Sequence, residues 1–252
     1  LDRAGELDLA TWHFTIDDNP YLSPEYVASI KAEYTGLWYR RMILGEWVQA
    51  EGAIYEAFDP DRHVVDELPE IERMLAVGID YGTTNPLAAV ALAVTRDGRL
   101  AVVSEYRHDS KAARRQLTDA EYSGELQAWL DTLDDDRVGG RPKILAVDPS
   151  AASFIEQLHR DRVGAVTDAD NSVLDGIRLV ASLIASDRIV VHRSCAGLIR
   201  ELPGYVWDDT AAQKGEDKPV KAHDHSLDAL RYAVMTTQAW WRRHVPLARW
   251  QG

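Results

Sequence analysis

Two aspartates stand where apolar runs end. Asp80 follows residues 74–79, and Asp148 follows residues 143–147. A carboxylate in such a place is normally excluded from a core unless it is paired or metal-bound. If the two runs are parallel neighbouring strands, both acids emerge at one edge of a sheet. There they make a site for a hard cation that prefers oxygen ligands. Each has an ordinary explanation alone: Asp148-Pro149-Ser150 is a common strand-to-helix turn, and Asp80 opens the polar break 80–86, with Gly82 and Pro86 as turn formers. The pair says more than either. A third acidic element lies in Asp224-His225-Ser226-Leu227-Asp228, where His225 and Asp228, and Asp224 and Asp228, share a helix face. Capping accounts for Asp224 but not for Asp228, a full turn further into the expected helix. Acids on two strand ends and one helix are what two-metal phosphodiester cleavage needs, with divalent ions roughly 4 Å apart.

The elements that must position these residues follow from the apolar pattern. Residues 74–79 and 87–94 read as a hairpin of two largely buried strands. Asp97-Gly98 turns the chain into a third strand over 99–106. Then come an amphipathic helix over 118–133, with Leu126, Trp129, Leu130 and Leu133 on one stripe, the strand 143–147, and a helix over 151–160. A short strand at 164–167, a helix from about 171 to 186, a strand at 188–192 and a helix at 194–202 continue the alternation. After an extended piece at 204–207 and a polar loop at 211–219, a long helix over 222–241 closes the pattern. Three strands followed by alternation predict an α/β fold, a mixed central sheet with helices on its faces. Ahead of it, residues 11–15 read as a short strand. Ser23-Pro24-Glu25 starts a helix broken at Gly36, and residues 37–44 form a second helix ending at Gly45. This N-terminal part reads as a small helical appendage.

Composition bounds the rest. The 252 residues carry a formal net charge of −13 and 46% apolar residues, enough for a full core in one large domain or a domain with an appendage. That charge argues against a nucleic-acid binder held by bulk attraction, but not against an acidic metal site that touches nucleic acid locally. Positive charge is concentrated in residues 107–115 and in residues 231–252, the latter with four Arg and no acids, while residues 131–136 are strongly acidic. The single Cys195 excludes an internal disulfide and fits a reducing compartment. It reads as a small buried residue rather than a nucleophile. No stretch resembles a signal peptide or a membrane span.

Three segments carry a resemblance. Gly78-Ile79-Asp80-Tyr81-Gly82, Val147-Asp148-Pro149-Ser150 and the run from Asp224 to Tyr232 resemble the three acidic motifs of the nuclease domain of the large subunit of tailed-phage DNA-packaging terminases. Residues 18–26, 44–52 and 171–178 also resemble segments of that family, the first two the end of the packaging ATPase and the passage into the nuclease. The resemblance implies a ribonuclease H-like fold, shared with Holliday-junction resolvases and transposases. It divides the chain into the tail of an ATPase domain or linker, 1–60, and a nuclease domain, 61–252. It further implies an endonuclease that cuts concatemeric double-stranded DNA with two Mg²⁺ or Mn²⁺ ions. Asp80, Asp148 and Asp228 would be the ligands, with Asp224 or His225 as the further one and His225 among the catalytic residues. Implied partners are double-stranded DNA, the ATPase domain of the same subunit, the terminase small subunit and the portal, at the procapsid in the host cytoplasm. The basic segment Arg107, Lys111, Arg114 and Arg115 is the candidate for holding the duplex, since phosphate contacts fix register.

The sequence also departs from the full family pattern. No G-x-x-x-x-G-K-[ST] phosphate loop occurs. With Leu1 rather than Met at the start, the expectation is the C-terminal part of a longer subunit. Three other readings compete. Residues 78–85 are similar to the first phosphate loop of actin- and chaperone-like ATPases, but that class needs a second glycine-rich loop, and none follows. Another ribonuclease H-like nuclease or resolvase, or a non-catalytic binding module, would carry the same three segments.

Overall fold

The apolar runs pair into one seven-stranded sheet. A computed structural model describes residues 12–82, 86–133 and 140–247. The strands are β1 (Val64–Val65), β2 (Ile71–Asp80), β3 (Leu87–Thr95), β4 (Leu100–His108), β5 (Ile144–Val147), β6 (Val166–Asp168) and β7 (Ile189–His192). The helices are α1 (Pro24–Glu33), α2 (Gly36–Trp38), α3 (Pro60–His63), α4 (Asp119–Thr132), α5 (Ala152–Asp161), α6 (Val173–Ala185), α7 (Ala196–Glu201), α8 (Asp209–Ala212), α9 (His225–Thr236) and α10 (Gln238–Trp241). The strand order is β1-β7-β4-β3-β2-β5-β6. The β2–β3 and β3–β4 pairs are antiparallel, and β2–β5, β5–β6, β4–β7 and β1–β7 are parallel. The expected mixed sheet between helices is therefore the observed architecture. The central strand β3 is buried along its whole length, as a strand covered on both faces must be.

Strand alternation decides which side chains meet which helix layer. Val77 and Ile79 of β2, with Leu145 and Val147 of β5, pack into the cluster that holds Leu126 and Leu130 of α4 and Phe154 of α5. The residues between them face α9. Ala146 packs with Tyr232 of α9. At Gly78 the helix backbone comes so close that an added Cβ would stand 1.9 Å from the Ala229 carbonyl oxygen. Asp80 and Asp148 lie two residues beyond Gly78 and Ala146, so both belong to the α9 face.

Several local expectations are corrected. Residues 12–15 form no strand, and Trp12 and Phe14 are exposed. Residues 37–44 are not one α-helix: α2 ends at Trp38 and a π-turn runs over Tyr39–Ile43. The two-residue strand β1 beside β7 was not foreseen, and α8 occupies the start of the expected polar loop. The closing helix starts at His225 rather than at residue 222 and breaks at Thr237 before α10. Thr83, Thr84 and Asn85 of the break after Asp80, residues 134–136 of the acidic run, and Arg249 lie outside the described residues. No helix among the described residues is long and apolar enough to cross a membrane.

Candidate active site

The parallel pairing of β2 with β5 runs in register up to Ile79 opposite Val147. The next residues, Asp80 and Asp148, leave the sheet side by side, and the Asp148 amide donates to the Ile79 carbonyl at 3.2 Å. Helix α9 crosses this end of the sheet and places a partner on each acid. His225 Nδ1 lies 2.9 Å from Asp80 Oδ2, and the Tyr232 hydroxyl donates to Asp148 Oδ2 at 3.1 Å. The other Asp148 oxygen accepts the Ser150 amide at 2.9 Å, the turn expected of Asp-Pro-Ser. That turn and the strand-end role coexist.

Asp228 sits in the first turn of α9, because the helix begins later than its sequence pattern suggests. It accepts from Lys221 Nζ at 2.9 Å and from the buried Arg231 at 2.8 Å. Asp224 occupies the N-cap position, yet its side chain makes no capping bond. Its Oδ2 is buried without a hydrogen-bond partner. Lys221 Nζ lies 3.2 Å away, an ion-pair distance without hydrogen-bond direction. The cap explanation for Asp224 therefore holds for its backbone position and fails for its carboxylate.

Charge is tuned accordingly. Burial raises the Asp80 carboxyl above the usual range, the hydrogen bond from His225 opposes this, and Asp228 and Asp148 push the same way as burial. The hydrogen bond to Asp80 raises His225 against its own desolvation. Both directions mean that the pair keeps a proton to higher pH than an isolated carboxyl or imidazole would. Burial pushes the Cys195 thiol up to about 12, so it is neutral and no nucleophile.

Asp80, Asp224, His225 and Asp228 open on a groove of about 440 Å³ whose walls also include Arg107, Lys111 and Lys221, while Asp148 does not line it. A groove of similar volume, about 460 Å³, lies between the N-terminal segment and α6. Its walls include Trp38, Tyr55 and Trp207, and it shares no lining residue with the groove at the strand ends. Among the described residues, no three His, Cys, Asp or Glu side chains converge as metal ligands. Asp80, Asp148 and Asp228 are instead each hydrogen-bonded to a protein partner. The donor set nevertheless suits a hard cation: oxygen ligands from two strand ends and from the start of α9, where Asp224 keeps an orphaned buried oxygen.

The basic segment divides. Arg107 donates to Glu201 at 2.6 Å and to the Ser226 hydroxyl at 2.7 Å. Glu201 in turn accepts the Ser226 and Leu227 amides at the start of α9. Arg107 thus braces the helix that carries Asp228, as well as lining the groove. Lys111 is exposed on the groove, Arg114 is exposed but does not line it, and Arg115 is paired with Glu121. In the C-terminal basic run, Arg231 is buried against Asp228 and Arg242 pairs with Glu33. Sequence reasoning missed Lys221, Glu201 and the role of Tyr232. The i, i+4 spacing of Asp228 and Tyr232 was the available signal for the last. Lys221 and Glu201 join the site only through the fold.

A family model described as "Terminase RNaseH-like domain" matches residues 77–237. The large terminase subunit of Escherichia phage T5 is 28% identical over 238 residues, covering 88% of this chain and 50% of that protein. The large terminase of a thermophilic bacteriophage superposes with a TM-score of 0.81 at 41% identity, covering 95% of this chain and 59% of that one. The large terminase nuclease domain of bacteriophage SPP1, solved with bound Mn, shares the fold at a TM-score of 0.52 and 17% identity, covering 74% of this chain and 98% of that domain. The chain thus spans between half and three-fifths of the two longer relatives. Its sheet, its acidic strand ends and the matched segment agree: the chain belongs to the terminase ribonuclease H-like domain family.

Proposed function

We propose that this chain is a metal-dependent endodeoxyribonuclease that cuts concatemeric double-stranded DNA during genome packaging. The observation that carries the reading is the pairing of β2 with β5, which ends in Asp80 and Asp148 beneath the helix that carries Asp228. Residues 61–252 form the nuclease part and residues 1–60 the passage from an ATPase part of the same subunit. The small subunit and the portal are the further partners, at the procapsid in the host cytoplasm.

Asp80, Asp148 and Asp228 would hold two Mg²⁺ or Mn²⁺ ions, with Asp224 as the additional ligand. When bound, these ions supply an activated water and stabilise the leaving oxygen. The Mn in the SPP1 domain supports that class of cation. Within the chain, Asp80 orients His225 through Nδ1, and Nε2 is the atom at which His225 would move a proton. Tyr232 and the Ser150 amide fix the Asp148 carboxylate, and Arg231 fixes Asp228. Lys111, Arg114 and Arg115 would hold backbone phosphates, and Arg107 would contribute from the groove wall.

Plasmid nicking by the pure chain tests the reading. Cleavage should appear with Mg²⁺ or Mn²⁺ and vanish with a chelator. Cleavage that ignores the chelator would rule the mechanism out.

Two narrower outcomes are expected. Asp228→Asn should weaken divalent-cation binding more than Asp224→Asn, because Asp228 lies within α9 on the face that carries Tyr232 to Asp148, whereas Asp224 stands at the N-cap. Calorimetric titration of both variants decides this, and a larger loss at Asp224 reverses the assignment. Arg114→Ala combined with Arg115→Ala should weaken DNA binding and reduce its salt slope by roughly 1 per lost phosphate contact, with cation binding unchanged. Affinity measured across a salt series is the check, and an unchanged slope moves the duplex elsewhere.

A further inference from the structure

Two cations flank Asp228, and they differ in kind. Arg231 is buried, with 3% of its side chain exposed, and donates both to Asp228 and to the Asn171 carbonyl. An added Cβ at Gly176 would stand 2.3 Å from the Arg231 Cγ, so the arginine is locked between α6 and α9. It supplies the permanent counter-charge. Lys221 touches the other Asp228 oxygen and stands 3.2 Å from Asp224 Oδ2, yet 58% of its side chain is exposed. Its ammonium lies between two carboxylates that are themselves only 7% and 10% exposed.

Helix stability does not explain this lysine. A cation beside a helix N-terminus opposes the macrodipole, and Asp228 already has Arg231. The lysine backbone is held in place: Val220 donates to Val206 at 2.9 Å, Trp207 bridges Pro219, and His223 turns the chain at φ +55. Only the exposed side chain is free to move. The carboxylate it half satisfies, Asp224, keeps an orphaned buried oxygen that an ammonium at that angle does not complete.

We propose that Lys221 is a displaceable internal cation, which holds Asp224 and Asp228 together in the cation-free chain and yields its place when a divalent cation takes those carboxylates. This rests on the reading that the acids bind such a cation. Lys221 is a positioning residue that acts through the two aspartates. Its presence keeps a dense acidic cluster folded before metal arrives and sets a threshold for loading.

The test is calorimetric titration of the pure chain with Mn²⁺, with thermal melts alongside. Lys221→Gln should bind Mn²⁺ on the order of tenfold more tightly, a Coulomb effect discounted for the exposure of the lysine. The cation-free variant should melt below wild type, and Mn²⁺ should close that gap. Lys221→Arg keeps the charge and should show no tightening. Equal or weaker binding by Lys221→Gln, with wild type binding well, overturns the inference alone. If neither wild type nor variant binds Mn²⁺, this inference and the metal reading fall together.

Discussion

Asp80→Ala and Asp148→Ala should each bring DNA cleavage down to background while the chain stays folded. The two acids end adjacent parallel strands on the face that α9 covers, so neither can be replaced by a neighbour. Removing one charge from a reaction centre built on charge stabilisation costs about 10²–10³-fold or more. Stability should respond in the other direction at Asp80. Burial and the nearby Asp228 and Asp148 raise its carboxyl in the folded chain. A raised folded pKa means that ionising Asp80 at neutral pH works against folding, so removing it relieves that cost. The loss of its bond to His225 offsets part of the gain. The melting midpoint should hold or rise by a few degrees, about 2–4 °C per kcal/mol for a chain of this size. Nicking assays beside thermal melts check both halves. A variant that cuts at near-normal rate would show that the reaction centre is elsewhere, and one that unfolds would show that Asp80 is a structural acid.

The second large effect is expected at a residue with no side chain. Gly78→Ala would place a Cβ 1.9 Å from the Ala229 carbonyl oxygen and 2.7 Å from the Ala233 nitrogen. Both are backbone atoms of α9 and cannot rotate away, so the helix must lift from β2. Overpacking of this rigid kind falls at the upper end of the usual range, about 3 kcal/mol, or roughly 6–12 °C in melting midpoint. Because α9 carries His225 and Asp228 and β2 carries Asp80, cleavage should fall as well. Gly124 in α4 is the matched control: it is exposed, and an added Cβ meets nothing within 4 Å. Gly124→Ala should leave stability unchanged or raise it by about 0.5–1 kcal/mol. Equal melting points for the two variants would mean that α9 is not seated on β2 through Gly78.

Much of this site is legible in the residues because its placement depends on short-range pattern. An apolar run followed by Asp identifies each strand end. A polar break with Gly82 and Pro86, then Asp97-Gly98, gives the β2-β3-β4 meander, and the later alternation gives the flanking helices. The parallel partnership of β2 and β5 is not legible in this way, since a strand pairing across some seventy positions leaves no local trace. The start of the closing helix is hidden for a similar reason. Residues 222–224 continue the helical pattern, but Val220 is tied to Val206 and His223 takes a left-handed conformation, so helix geometry begins at His225. That shift turned Asp228 into a first-turn acid and left Asp224 with an unsatisfied oxygen. Arg107 shows the limit of charge patterning. It belongs to a basic run in sequence, yet Glu201 and Ser226 from distant elements claim it and make it a brace for α9. Residues 12–15 alternate like a strand but find no partner strand among the described residues.

Anomalous diffraction from a crystal soaked in Mn²⁺ would locate the cation itself. The strongest peaks should lie against Asp80, Asp148 and Asp228 at ligand distances of about 2.1–2.2 Å, the range for hard six-coordinate cations and carboxylate oxygens. The Lys221 ammonium should have moved off Asp228 in the same map. Peaks confined to other acids of the surface, with the carboxylates of Asp80 and Asp148 still turned to His225 and Tyr232, would contradict a metal-dependent nuclease centre at these strand ends.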